Sequence, residues 1–232
     1  MFLVGGPAFS GTTLLAHLLN QEGIVCLDEP DFHDPRQNHR SIPVLEKLFP
    51  GRRFPARPER KLSYPDAVKL IAECQEIIRP TRLGIKTANW IFVEYAKIYK
   101  KSGYPVITIV RDIRDALVGA PLPEWITERG LNKAYRLIWK NMKLYDFWCR
   151  YEDLVMKPED IMAEISKILG QRIETKSKWN PENVYPAMIK LERHRLLQEG
   201  SIVVSRVGLW KSSGKVLRKL SHKTAAIMGY HD

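Results

Sequence analysis

Cysteine is scarce and poorly placed for cross-linking, with only Cys26, Cys74 and Cys149 in 232 residues. An odd number without a C-x-x-C pair supports neither a disulfide framework nor a zinc site, so the thiols are expected to be reduced and partly buried. Long apolar runs are missing too. "MFLVGG" at the start is broken by glycine before it reaches signal-peptide length, and no stretch approaches the ~20 apolar residues of a membrane helix. A cytoplasmic chain with no membrane partner is the expectation. Internal repeats, low-complexity tracts and a convincing linker are also absent, which argues against dividing the chain. Lysine does not occur before Lys47.

What is present is positive charge: 37 Lys and Arg against 26 Asp and Glu leave +11. That balance favours anionic partners without choosing among nucleic acid, acidic glycan and a phosphorylated cofactor. No recognition helix or aromatic-studded sheet pattern accompanies it, so nucleic acid is not an expected partner. The length suits one well-buried core, and residues 1–232 are read as a single domain. Nothing in the sequence reports an oligomeric state.

Short apolar, β-branched runs at Phe2 to Val4, Ile24 to Leu27 and Val106 to Val110 have the length of strands buried on both faces. Helical stripes lie between and after them: Leu14, Leu15, Leu18 and Leu19; Val68, Ile71, Ala72 and Ile78; Leu131, Ala134, Tyr135, Ile138, Met142 and Tyr145. "DFWCRYEDL" reads as a further strand. "KPEDIMAEISKIL" reads as a helix with Pro158 in its first turn and Gly170 as its stop. Arg36 to Lys61 has no period, several prolines and a basic cluster, and is expected to be a long surface loop. The alternation predicts an α/β fold, a three-layer sandwich with a central parallel sheet and a phosphate-binding loop after the first strand.

That loop is "GGPAFSGTTLL" at residues 5–15. Gly6, four residues, then Gly11, Thr12 and Thr13 match the spacing G-x-x-x-x-G-K-[ST] with Thr12 in place of lysine. Glycines let main-chain N–H groups turn inward, and the N–H groups of a helix N-terminus favour an anion, so a phosphate can still bind. What is lost is the cation that reaches the outer phosphates of a triphosphate, which disfavours ATP or GTP hydrolysis. "VITIV" then ends in Arg111, an anion ligand, where a metal-organising Asp would be expected. Arg111 leaves a central strand at its carboxyl end, where parallel sheets place their ligands.

Together the loop, "VITIVRDIRDALVG", "RYEDLVMKPED" and "SRVGLWK" resemble the sulfotransferase family that uses 3′-phosphoadenosine 5′-phosphosulfate (PAPS). The resemblance implies that Ser10, Gly11, Thr12 and Thr13 hold the donor's 5′-phosphosulfate, which needs no triphosphate-grasping lysine. It implies that Arg111 binds the 3′-phosphate, that Tyr151 lies near the adenine, and that Ser205 and Arg206 belong to a late loop over the 3′ side. "GIKTANW" is similar to the K-T-P or K-S-P segment of carbohydrate-acting members, where Lys86 would approach the sulfuryl. "LDEPDFHD" resembles their segment bearing a glutamate base, which points to Glu29, with Asp28, His33 and Asp34 as neighbours open to the same role. PAPS is the implied co-substrate, with no metal, and the partner is a small-molecule or glycan acceptor.

Two positions depart from the pattern: Phe9 stands where a basic residue usually precedes the Ser-Gly, and Gly119 where a serine usually follows the arginine by eight residues. Competing expectations are a PAPS-binding module with weakened catalysis and a small-molecule kinase of the phosphate-loop class.

Overall fold

The computed structural model describes residues 1–30, 32–34, 41–56, 58–119, 127–175, 207–213 and 217–231. Five strands, β1 (Phe2–Gly6), β2 (Ile24–Asp28), β3 (Arg82–Ala88), β4 (Val106–Val110) and β5 (Phe147–Arg150), form one sheet in the order β2-β3-β1-β4-β5. Every described pairing is parallel. Side chains alternate across it: Phe2, Val4, Ile107 and Ile109 pack on one face, and Leu3, Val106 and Val110 on the other. Both faces are buried, as parallel sheets require. The first is covered by α1 (Thr12–Leu19), α7 (Tyr151–Met156) and α8 (Pro158–Leu169). The second is covered by α2 (Ile42–Leu48), α3 (Tyr64–Ile77), α4 (Asn89–Lys101), α5 (Ile113–Val118) and α6 (Glu128–Lys140). The expected α/β sandwich with a central parallel sheet is the observed fold.

Two local expectations need correction, and one strand was missed. The segment read as a long surface loop contains α2, with Pro43 in its first turn and Ile42 and Leu45 buried in the core. β3 was not legible as a strand because Gly84 and Lys86 interrupt its apolar run. A Cβ on Gly84 would lie 2.2 Å from Phe2 Cζ, so the glycine makes room for that ring. "DFWCRYEDL" is a strand only as far as Arg150; Glu152 and Asp153 sit in the first turn of α7, where carboxylates complement the helix dipole. The 158–169 helix is as expected, and Gly170 ends it at φ 59. All three cysteines are free and buried. Among the described residues no helix is long and apolar enough to cross a membrane.

Candidate functional site

The loop after β1 is held by contacts that leave a helix N-terminus open. Gly6 is obligatory for space, since its Cβ would stand 2.1 Å from the carbonyl oxygen of Ile109. Ser10 is fully buried, and its hydroxyl lies 2.8 Å from Pro7 O and 2.9 Å from Ile109 O, tying the loop to β4. The Ala8 N–H donates to Asn89 Oδ1 at 2.8 Å, tying the loop to the end of β3. Phe9 and Gly11 adopt left-handed conformations at φ 65 and 94. Gly11 caps α1 without any side-chain hydrogen bond, and unpartnered first-turn N–H groups of a helix favour an anion. Thr12 is buried and Thr13 partly so.

Arg111 stands beside this cradle. Its guanidinium lies 4.6 Å from the centre of the Tyr151 ring, and the same ring would sit 2.4 Å from a Cβ on Gly11. Tyr151 therefore bridges the amide loop and the guanidinium, and Arg111 is buried rather than a surface arginine.

Behind Arg111 the chain's last stretch is tied to α5. Asp112 caps that helix by accepting from the Arg114 N–H at 2.9 Å. The buried Arg114 guanidinium donates to both Asp112 oxygens, at 3.0 and 3.1 Å from Nε, and lies 3.9 Å from the Trp210 ring centre. Asp115, which the sequence offers only as a helix-start residue, accepts from the Gly208 and Trp210 N–H groups at 2.6 and 3.0 Å. Glu152 accepts from the Asp112 N–H at 3.2 Å and the Tyr230 hydroxyl at 3.0 Å. Burial raises the Asp115 and Glu152 carboxyls above their usual range, against the hydrogen bonds that favour the charged form.

At the other end of the edge, β2 and β3 pair Asp28 with Lys86. Lys86 Nζ lies 2.7 Å from Asp28 Oδ1 and 2.8 Å from Glu29 Oε1, and the Glu29 N–H donates to Lys86 O at 2.8 Å. Burial alone would lower the Lys86 pKa, but the two carboxylates outweigh it and hold the ammonium charged well above its ordinary value. Asp28 is enclosed with the lysine, its side chain 5% exposed, whereas the Glu29 side chain is 38% exposed on a backbone at φ 49. His33 and Asp34 are buried. Of the four acid or base candidates, Glu29 has the most exposed side chain.

Ser205 and Arg206 lie outside the described residues. Asn89, Asp115 and Glu152 were not legible as supports in the sequence, because their partners are distant in the chain. Among the described residues no cluster of His, Cys, Asp and Glu is arranged to hold a metal ion.

No protein-family model matches the chain, and no curated protein matches it in sequence. Among solved structures, the sulfotransferase domain of the olefin synthase from Synechococcus PCC 7002 aligns at 13% identity over 100% of this chain and 94% of that one, with a TM-score of 0.61. The mouse sulfotransferase SULT7A1 complexed with PAP aligns at 16% identity over 97% of this chain and 82% of that one, with a TM-score of 0.50. At such identities the likeness is one of fold: this chain is built on the α/β framework that those two sulfotransferases share.

Proposed function

We propose that the chain is a PAPS-dependent sulfotransferase, one domain over residues 1–232, that moves a sulfuryl group from PAPS to a hydroxyl of a small-molecule or glycan acceptor. The observation that carries this is the Tyr151 bridge: one ring touches the amide loop at Gly11 and the guanidinium of Arg111. Two anion-binding groups of different kinds, separated by an aromatic ring, suit a nucleotide with phosphates at two positions better than a linear triphosphate. The resemblance in the four motifs and the likeness in fold to the two sulfotransferases support the same conclusion.

In this scheme the first-turn N–H groups of α1, with Thr12 and Thr13, receive the 5′-phosphosulfate, and Arg111 receives the 3′-phosphate beside Tyr151. Ser10 shapes the loop through Pro7 and Ile109 instead of spending its hydroxyl on the ligand. Ser205 and Arg206 are assigned to the 3′ side by the motif alone. Glu29 takes the acceptor hydroxyl's proton as that oxygen bonds to sulfur and the sulfur–phosphate oxygen bond breaks. Lys86 and the loop N–H groups face the negative charge released on adenosine 3′,5′-bisphosphate. Asp28 keeps Lys86 charged and in place.

The test is thermal stabilisation by adenosine 3′,5′-bisphosphate against AMP and ATP. A ligand bound only by the folded chain adds about 2.7 kcal/mol at 100 times its Kd. Stabilisation by the bisphosphate well above AMP is expected, and Mg²⁺-dependent preference for ATP overturns the proposal in favour of a kinase. Labelled PAPS offered with a broad acceptor panel separates the remaining reading. Tight bisphosphate binding without product would mark Phe9, where a basic residue is usual, as the sign of a binding module.

A further inference from the structure

Next to Glu29 the same edge carries an aromatic wall that the donor chemistry leaves unused. Trp90 lies in the first turn of α4, directly after the strand that delivers Lys86, and is 54% exposed. Its ring stands edge-on to Tyr64 at 6.3 Å, and Tyr64 in turn lies 4.9 Å from His33. His33 follows Glu29 closely in sequence and is almost wholly buried, yet its Nδ1 meets no hydrogen-bond partner among the described residues. That nitrogen is the polar edge of the imidazole left for one more hydrogen bond. The Leu62 N–H donates to His33 O at 2.9 Å, which brings the exposed Lys61 to the same place, close enough for its charge to act on the imidazole.

An exposed indole braced edge-on by a tyrosine is a stacking surface for a flat or ring-shaped group, and a lysine near the histidine favours negative charge. The indole, the tyrosine and the imidazole therefore form one contact chain, with the residue after Lys61 bonded to the histidine.

We propose that Trp90, Tyr64, His33 and Lys61 form the acceptor subsite, and that it takes a ring-bearing hydroxyl compound with a carboxylate or other anion. This rests on the sulfotransferase reading above. Trp90 stacks on the ring, His33 hydrogen-bonds a substituent, Lys61 pairs with the anion, and the reacting hydroxyl is left facing Glu29.

The experiment uses the full chain with labelled PAPS and two matched probes, 4-methylumbelliferyl β-D-glucuronide and the uncharged 4-methylumbelliferyl β-D-glucoside. The glucuronide should show the lower KM. Trp90→Ala should raise KM for both probes at least tenfold, with the KM for PAPS and the melting shift with adenosine 3′,5′-bisphosphate unchanged. Lys61→Ala should remove the preference for the glucuronide and leave the glucoside KM where it was. Trp90→Phe, which keeps a ring, should recover most of the loss and thereby exclude a merely structural effect. Unchanged acceptor KM values in both variants overturn the inference. So does a chain that binds the bisphosphate yet sulfates neither probe, while failure to bind the bisphosphate sinks the parent reading instead.

Discussion

Two buried cations at the carboxyl edge of the sheet, Lys86 and Arg111, are held in opposite ways. Lys86 is neutralised by two successive residues, Asp28 and Glu29, at the end of the neighbouring strand, so strand pairing alone assembles the cluster. Arg111 is flanked by Tyr151 and backed by groups that only a folded chain brings together: Asp115 with Gly208 and Trp210, and Glu152 with Tyr230. One end is a closed electrostatic unit with half of one carboxylate left open. The other is backed by hydrogen bonds to Gly208, Trp210 and Tyr230.

The contrast breaks most visibly at Lys86. Lys86→Met leaves Asp28 buried without its cation, and losing one partner of a buried pair costs about 3–5 kcal/mol. Urea denaturation should register that loss, and adding Asp28→Asn should return most of the stability but none of the sulfuryl transfer. A full return of transfer in the double variant would make Lys86 a structural residue only.

Glu29→Gln should leave the melting temperature nearly unchanged, because this carboxylate is half open to water. The turnover rate at saturating donor should drop about 10²–10⁴-fold, the usual contribution of a positioned general base. Arg111→Ala sharpens the other end. It should weaken adenosine 3′,5′-bisphosphate by about 1.5–3 kcal/mol, the worth of a hydrogen bond to a charged group, and leave AMP affinity untouched in calorimetric titration.

Asp115→Ala removes the acceptor of two N–H groups and should cost about 1–3 kcal/mol of folding stability by denaturant titration. The smallest effect is at His33. Burial, followed by the Lys61 charge, depresses its pKa in the folded chain, so its contribution is present above the ordinary value and is lost as pH falls through the depressed one. A melting temperature that declines below about pH 6.5 should decline less in His33→Gln. An equal decline would assign the effect to other groups.

How much was legible follows the same division. The loop from Gly6 to Thr13, the strand ending in Arg111 and the helix from Pro158 to Gly170 are each written in contiguous residues, through glycine spacing, β-branched runs and capping chemistry. β3 was hidden because its Gly84 accommodates a ring from β1 and its Lys86 faces carboxylates from β2, so neither residue type makes sense within its own segment. α2 was masked by the prolines around it. Asp115 looked like an ordinary first-turn carboxylate because its partners lie beyond residue 200.

The sequence alone determined the α/β class and the glycine-spaced loop that leads from β1 into α1, because these depend on short-range rules of backbone and side-chain chemistry. Only the tertiary structure decided that Tyr151 joins Gly11 to Arg111, that the Glu29 side chain is more open than that of Asp28, and that Trp90 meets Tyr64. Exposure and contact between distant segments are properties of the packed sheet, and no local pattern encodes them.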